Sequence, residues 1–139
     1  MVCTGNVCRS PVAAAMLAAR LGDPLVVESA GVGAVVGHRA TAEAAQTAVA
    51  RKLDISAHRA RQLEVALARA FDLLLVMEIR HRTSVSRHVP QVRGRTILFG
   101  HWRDEVEIAD PIGQPMSTYE RVAATMVLCA GDWAARLLG

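Results

Sequence analysis

The sequence predicts one α/β domain over residues 1–139, in which a doubly wound, four-stranded parallel sheet is flanked by helices. Apolar, β-branched segments alternate with helical segments along the chain, as is typical of βαβ units. The segment Phe71–Met77 is an almost continuous apolar run, as in a parallel strand covered on both faces. The length also suffices for a single domain with a substantial core. Ligands of such a sheet bind at the carboxyl ends of its strands.

The first half of the chain supplies two strands and two helices. Only two residues precede Cys3, so we expect the first strand to be short, as though truncated. An alanine-rich helix is predicted over Pro11–Leu21, with proline in its first turn and Gly22 as its stop. The β-branched residues of Pro24–Gly31 predict the second strand, and Thr41–Lys52 has the composition of the second helix.

The second half repeats this alternation. Phe71–Met77 is the predicted third strand, a helix follows over Ile79–Val89, and Thr96–Gly100 is the last strand. The last long helix is predicted over Ser117–Leu138, whose first residue and Glu120 have the spacing of a capping box.

The segment Cys3–Pro11, CTGNVCRSP, joins the first strand to the first helix and has the composition of a phosphate-binding loop. Gly5 and Asn6 accept backbone conformations that turn successive N–H groups toward one centre. The guanidinium of Arg9 can bridge two oxygens of a tetrahedral dianion. We therefore predict that phosphate is bound by the loop residues Thr4, Gly5, Asn6, Val7, Cys8, Arg9 and Ser10.

Cys3 is the candidate nucleophile of this loop. The helix N-terminus, the convergent amides and Arg9 all favour its thiolate form, and Ser10 can donate a hydrogen bond to the sulfur. Attack of the thiolate on a phosphate monoester gives a cysteinyl-phosphate intermediate. Asp110, in an Asp-Pro step after the last strand, is predicted to lie at the same edge of the sheet. It would protonate the leaving oxygen and then, as a carboxylate, activate water.

The pattern Cys-x-Gly-Asn-x-Cys-Arg-Ser-Pro near the N-terminus resembles the phosphate loop of the low-molecular-weight protein tyrosine phosphatases, especially of their bacterial exopolysaccharide-associated branch. The resemblance covers nearly the whole chain, and a His101-Trp102 pair ahead of the Glu107–Pro111 segment favours that branch. The resemblance implies that the substrate and partner is a phosphotyrosine protein, namely an autophosphorylating bacterial tyrosine kinase. It implies a protein-tyrosine phosphatase without cofactor or metal, whose catalytic residues are Cys3, Arg9 and Asp110.

The same resemblance assigns supporting roles around the loop. Ser29 and His58 lie in segments that match family segments whose side chains hydrogen-bond the loop asparagine. The implied loop supports are thus Asn6, Ser10, Ser29 and His58. In the family, a neighbouring cysteine can form a reversible disulfide with the nucleophile, which implies a redox pair of Cys3 and Cys8. The alternative for Cys8 is a small packing residue, and the alternative for His58 is an ordinary surface or core histidine.

The composition disfavours several other classes. The net charge of +3 comes almost wholly from arginine and is interleaved with acids, so no nucleic-acid-binding stripe is predicted. No apolar run approaches a membrane span and no leader precedes the loop, so a cytoplasmic location is expected. The chain is expected to be a monomer or a weak dimer. Cys129 is predicted to be an inert buried thiol. We predict a solvated helix face at Arg80, His81 and Arg82, and no metal-ligand spacing is found.

Three alternative functions stay open. Ile112 follows Asp-Pro, where members of the family that act on phosphotyrosine commonly carry an aromatic residue, and Val7 replaces the threonine of arginine phosphatases of this fold. An arginine phosphatase is therefore one alternative. Arsenate reductases of this fold need two further cysteines after the third strand, where this chain has residues 77–80 without cysteine. A non-catalytic phosphate-binding module needs no acid. The predicted apolar rim of the pocket consists of Val32, Val35, Val36 and Ile112.

Overall fold

The protein is described by a computed structural model that covers residues 1–139. Its single sheet has the strand order β2-β1-β3-β4, with all neighbours parallel, and consists of β1 (Val2–Cys3), β2 (Ala30–Gly31), β3 (Leu74–Val76) and β4 (Thr96–Leu98). The helices are α1 (Arg9–Leu21), α2 (Ala42–Ala50), α3 (Val65–Ala70), α4 (Ile79–His88) and α5 (Met116–Leu138), with a 3-10 helix over Pro90–Arg95. The predicted fold class is confirmed.

The strands on either side of β1 are shorter than predicted. The predicted strand over residues 24–31 forms ladder pairs with β1 only at its last two residues, Ala30 with Val2 and Gly31 with Cys3. Ahead of those pairs, the Met1 ammonium group donates a hydrogen bond to the Glu28 carbonyl at 2.8 Å. On the other side, β1 pairs with β3 only between Val2 and Val76. The length of a strand thus depends on its neighbour as well as on its own residues.

Two helix boundaries differ from the predictions. α1 begins at Arg9, two residues earlier than predicted, so the end of the phosphate loop is already the first helical turn. The predicted capping box of α5 is wrong. This helix begins at Met116 with Pro115 in the N-cap position, so Ser117 lies inside the first turn, and no side chain caps the helix. α3 lies in a stretch for which no element was predicted.

Both faces of the sheet are covered, which explains the apolar run of the third strand. Leu74 and Val76 point to one face and pack in a cluster with Val85 of α4. Leu75 and the following Met77 point to the opposite face, where the larger cluster contains residues of α1 and α5 such as Val12, Met16, Met126 and Trp133. None of the helices combines the length and the apolar character that a membrane span requires.

Candidate active site

The phosphate loop lies at the carboxyl end of β1, between the two neighbouring strands. Its carbonyl groups are bonded to the chain that follows β2: Gly33 N–H donates to Thr4, Val35 N–H to Gly5 at 3.0 Å, and Thr41 N–H to Val7 at 2.9 Å. By contrast, the N–H groups of residues 5–8 donate to no protein acceptor. Because buried amides without acceptors are costly, a loop of this kind favours a bound anion.

Asn6 holds the loop in its strained conformation. Its φ angle of 58° is in the left-handed region, and the residue is fully buried. The side-chain amide donates to Ser10 Oγ at 2.8 Å and to Ser29 Oγ at 3.0 Å. His58 Nε2 lies 2.6 Å from the Asn6 carbonyl, which can only accept, so the imidazole donates. The structure therefore brings Ser10, Ser29 and His58 onto the same asparagine.

One further contact to Asn6 was not predicted. The Arg61 backbone N–H donates to the Asn6 side-chain oxygen at 2.9 Å. Every residue type except proline has a backbone N–H, so the sequence contains no signal that identifies this donor. The side chain of Arg61 is engaged separately, by the Ser29 carbonyl and the Glu28 carboxylate.

Cys3 receives a directed hydrogen bond from Ser10. The Cys3 sulfur is buried and lies 2.9 Å from Ser10 Oγ. Since the Asn6 amide already donates to that oxygen, the Ser10 hydroxyl hydrogen is free to point at the sulfur. A chain of donors thus runs from Asn6 through Ser10 to Cys3. Such a chain stabilises negative charge on sulfur.

Arg9 is held along one edge only. Its side chain is 2% exposed, and Nη1 donates to Glu78 Oε2 at 2.6 Å and to the Ile108 carbonyl at 2.7 Å. Neither Nε nor Nη2 donates a hydrogen bond to the protein, and the nearest carboxylate oxygen to Nη2 belongs to Asp110, at 3.7 Å. The free Nε–Nη2 edge is the one that can span two oxygens of a phosphoryl group.

Asp110 lies at the same edge of the sheet as the loop, as the Asp-Pro step predicted. Its segment is attached to the end of β3 through Ile108 N–H, which donates to the Met77 carbonyl at 2.8 Å. One carboxylate oxygen accepts from Ile112 N–H at 3.1 Å, and the other faces Arg9. The side chain is 38% exposed. An acid in this position is accessible to a substrate whose phosphate occupies the loop.

The predicted solvated face at residues 80–82 is wrong for His81. This imidazole is 1% exposed, because the first turn of α4 packs on the phosphate loop. Its Nε2 lies 2.9 Å from Thr4 Oγ1, and its Nδ1 accepts from Glu78 N–H at 3.1 Å. Burial and the nearby Arg9 lower the pKa of His81 to about 4. Helical spacing indicates which residues share a face, but it does not show what that face meets.

Glu78 is a further site residue that was not predicted from the sequence. Burial by itself raises the pKa of its carboxyl group, but hydrogen bonds from Arg9 and Arg80 outweigh burial, and the pKa is lowered. Its carboxylate is therefore the charged partner of the buried Arg9. A signal was available: Glu78 follows directly after the third strand, at the edge where ligands bind.

Cys8 faces away from the donor chain that reaches Cys3. Its sulfur lies 3.5 Å from both Thr41 Oγ1 and the Tyr119 hydroxyl, and burial raises the pKa of its thiol. All three cysteines are free and buried, and burial raises the pKa of Cys129 to about 11. The redox pairing of Cys3 with Cys8 stays a prediction. No group of three or more side chains that bind metals converges in the chain.

Fold and site together define a class: an α/β protein whose first strand-to-helix loop presents a thiol, free amides and the open edge of an arginine to one oxyanion. A family model described as low molecular weight phosphotyrosine protein phosphatase matches residues 1–138. The chain belongs to this family, and the predicted protein-tyrosine phosphatase is confirmed.

The similar proteins are bacterial, as predicted. The low molecular weight protein-tyrosine-phosphatase Wzb of Salmonella typhimurium is 43% identical over 99% of this chain and 91% of the relative. Etp of Escherichia coli K12 is 40% identical over 99% of this chain and 92% of its own length. The crystal structure of the tyrosine phosphatase Wzb from Escherichia coli K30 with sulphate has a TM-score of 0.94 and 41% identity, over 98% of this chain and 94% of that one.

An arginine phosphatase shares the fold at greater sequence distance. YwlE from Geobacillus stearothermophilus has a TM-score of 0.92 over 99% of this chain and 90% of its own, with 29% identity. The higher identities belong to the tyrosine phosphatases, so the arginine alternative is the less supported one.

Proposed function

We propose that this phosphatase hydrolyses phosphotyrosine in proteins through a phosphate ester of Cys3, with Arg9 and Asp110 as the other catalytic residues. The observation that carries the proposal is the pairing of two features at one point. Ser10 directs its hydroxyl at the Cys3 sulfur, and Arg9 leaves its Nε–Nη2 edge free beside the unpaired loop amides. One phosphoryl group can contact all three.

In the first step the Cys3 thiolate attacks phosphorus in line with the leaving oxygen. The sulfur–phosphorus bond forms as the bond to the tyrosine oxygen breaks, and Asp110 gives its proton to that oxygen. Negative charge spreads over the three equatorial oxygens, where Arg9 and the amides of residues 4–10 hold it. Arg9 does not move to do this, because Glu78 and the Ile108 carbonyl already fix its other edge.

In the second step the Asp110 carboxylate takes a proton from water, and the water oxygen attacks phosphorus. The sulfur–phosphorus bond breaks, which releases inorganic phosphate and regenerates the thiolate. Ser10 donates to the departing sulfur in this step, since the Asn6 amide occupies its oxygen. Cys3 and Asp110 thus serve both halves of the reaction.

The rim of the site suits an aryl group. Val35, Val36 and Ile112 are exposed apolar side chains. Val35 N–H is bonded to the Gly5 carbonyl, and Ile112 N–H is bonded to Asp110. These side chains can pack on a phenyl ring without the π contact that an aromatic residue would add. We infer that the physiological substrate is a phosphotyrosine protein of the cytoplasm, namely a bacterial tyrosine kinase of polysaccharide production.

The test is hydrolysis of p-nitrophenyl phosphate and of matched phosphotyrosine and phosphoarginine peptides, in reductant and without added metal. We expect activity on the acid side of neutrality and preference for phosphotyrosine. Cys3→Ser should have no measurable turnover, and Asp110→Asn should fall by about 100-fold or more. Preference for phosphoarginine would contradict the substrate assignment. A folded, inactive wild type that still binds phosphate would show a binding module instead.

A further inference from the structure

His81 is a buried polar residue that transfers no proton in the proposed reaction. It lies in the first turn of α4, and both of its ring nitrogens are bonded: Nδ1 to Glu78 N–H and Nε2 to Thr4 Oγ1. Thr4 directly follows the nucleophile, and Glu78 is the carboxylate that pairs with Arg9. The imidazole thus contacts a loop residue and the residue that holds the catalytic arginine.

The hydrogen-bond pattern fixes the tautomer of His81. A backbone N–H can only donate, so Nδ1 accepts from Glu78 and carries no proton. The ring proton of the neutral form is then on Nε2, which donates to the Thr4 hydroxyl. A protonated ring would turn a second N–H toward the Glu78 N–H and add a positive charge near Arg9. Only the neutral ring satisfies both contacts, in agreement with the low pKa of this residue.

These contacts join α4 to the phosphate loop at two points of the loop, Thr4 and Arg9. His81 holds Thr4, next to the nucleophile, and Glu78 holds Arg9, at the start of α1. The position of Glu78 depends in turn on the imidazole, since its main chain is bonded to Nδ1. Loss of the ring would therefore release one loop contact and loosen the other.

We propose that neutral His81 is a positioning residue for phosphoryl binding, which holds Thr4 directly and Arg9 through Glu78 in the geometry that receives the oxyanion. The proposal rests on the proposed function for its substrate, but not for its test, because inorganic phosphate is a sufficient ligand. Residues that orient the ligands of metal sites through hydrogen bonds typically contribute about 10- to 100-fold to affinity or activity, and we take the lower end of that range for His81.

The experiment compares three single variants and one double variant for their affinity for inorganic phosphate, by ³¹P NMR titration, and for kcat and KM with p-nitrophenyl phosphate. His81→Phe keeps the ring volume and removes both hydrogen bonds, so phosphate affinity should fall about tenfold. Thr4→Val removes only the hydroxyl and should cost about threefold. His81→Gln offers a carbonyl to Glu78 and an amide to Thr4, so it should restore most of the affinity. Combining Thr4→Val with His81→Phe should add nothing to His81→Phe alone.

The matched control is Val85→Ala, one helical turn further along α4. Val85 is 2% exposed and packs in an apolar cluster that contains neither Thr4 nor Glu78. This variant should lower Tm and leave phosphate affinity unchanged. The proposal would be overturned if Val85→Ala lost as much phosphate affinity as His81→Phe at a similar Tm. It would also be overturned if folded His81→Phe and folded Thr4→Val both kept wild-type phosphate affinity. If His81→Phe does not fold, Thr4→Val decides: unchanged affinity overturns the proposal.

The two proposals fail in distinguishable ways. A wild type without turnover, whose phosphate affinity still depends on Thr4 and His81 as described, would overturn the proposed function and support the positioning role. Normal turnover in the wild type, with a phosphate affinity that does not change when Thr4 or His81 is substituted, would support the proposed function and overturn the positioning role.

Discussion

The direction of the hydrogen bonds around Cys3 gives Ser10 a role in one half of the reaction. Its oxygen accepts from the Asn6 amide, which leaves its hydrogen available to the sulfur 2.9 Å away. The thiolate needs that donor most when it leaves phosphorus. The second step, rather than the first, is therefore the step that Ser10 accelerates.

Ser10→Ala should lower kcat by about 10- to 100-fold, with a burst of p-nitrophenol that the wild type lacks or shows weakly. The burst arises because the intermediate still forms but decays slowly, and stopped-flow absorbance measures it. Ser29→Ala is the control, since Ser29 contacts Asn6 but not the sulfur. A steady-state loss as large in Ser29→Ala as in Ser10→Ala would show that the serine acts only through the loop.

Stability at mildly acidic pH depends on the neutral state of His81. Its pKa is about 4 in the folded chain against 6.5 ordinarily, so between these values the unfolded chain binds a proton that the native chain does not. The free energy of unfolding therefore decreases as pH falls from 6.5 toward 4, by on the order of 1 kcal/mol per pH unit. Glu78 is an acid, so its lowered pKa means that its carboxylate stabilises the native chain. This contribution is present above the usual pKa of 4.5 and is lost only as pH falls below that value.

Urea unfolding at several pH values between 7 and 4.5 tests the predicted effect of His81 on stability. We expect the wild type to lose stability over the window and His81→Gln to lose clearly less, because glutamine does not titrate. Parallel pH dependences of the two proteins would contradict the assignment of a buried, neutral imidazole.

At the scale of elements, β2 supports the phosphate loop through close approach of the main chain. A Cβ atom on Gly31 would overlap the Thr4 carbonyl oxygen and lie 3.2 Å from Ala34. A Cβ atom on Gly33, two residues later, would meet only the Thr4 methyl group at 3.8 Å, an ordinary contact. The two glycines therefore differ in how closely the loop packs on them.

Gly31→Ala should lower Tm and weaken phosphate binding, because the loop must shift to admit the methyl group, at a cost of about 1–3 kcal/mol. Gly33→Ala should have a Tm and a phosphate affinity close to those of the wild type. Thermal unfolding together with phosphate titration measures the two effects. Wild-type phosphate affinity in Gly31→Ala would show that the loop does not depend on its contact with β2.

At the scale of the whole molecule, the predictable features are those that local chemistry encodes. The loop residues between Cys3 and Pro11 are contiguous, so their types alone indicate an anion site. Asp110 is distant in sequence, but an Asp-Pro step after the last strand reaches the ligand edge of any parallel sheet. The alternation of strands and helices was sufficient to predict a four-stranded parallel sheet flanked by helices, although it did not give the strand order.

The features that were missed depend on tertiary contacts. His81 has the neighbours of a solvated helix face, and only the packing of α4 on the loop buries it. The ladder of β2 is restricted to its pairs with Val2 and Cys3, and the residue types of segment 24–29 do not indicate this pairing. The bond from Arg61 to Asn6 is made by a backbone N–H that nearly every residue type possesses. In each case the determining partner lies elsewhere in the chain.

In the proposed mechanism the phosphoryl group passes through the Cys3 sulfur. The most direct test of this transfer is rapid acid quench of Asp110→Asn with p-nitrophenyl phosphate, followed by peptide mass spectrometry. This leaving group needs little protonation, so the intermediate should form and then persist without the base that activates water. We predict one phosphoryl group on the peptide that contains Cys3, and none in Cys3→Ser or at Cys8. A released burst of p-nitrophenol without phosphate on Cys3 would contradict the account.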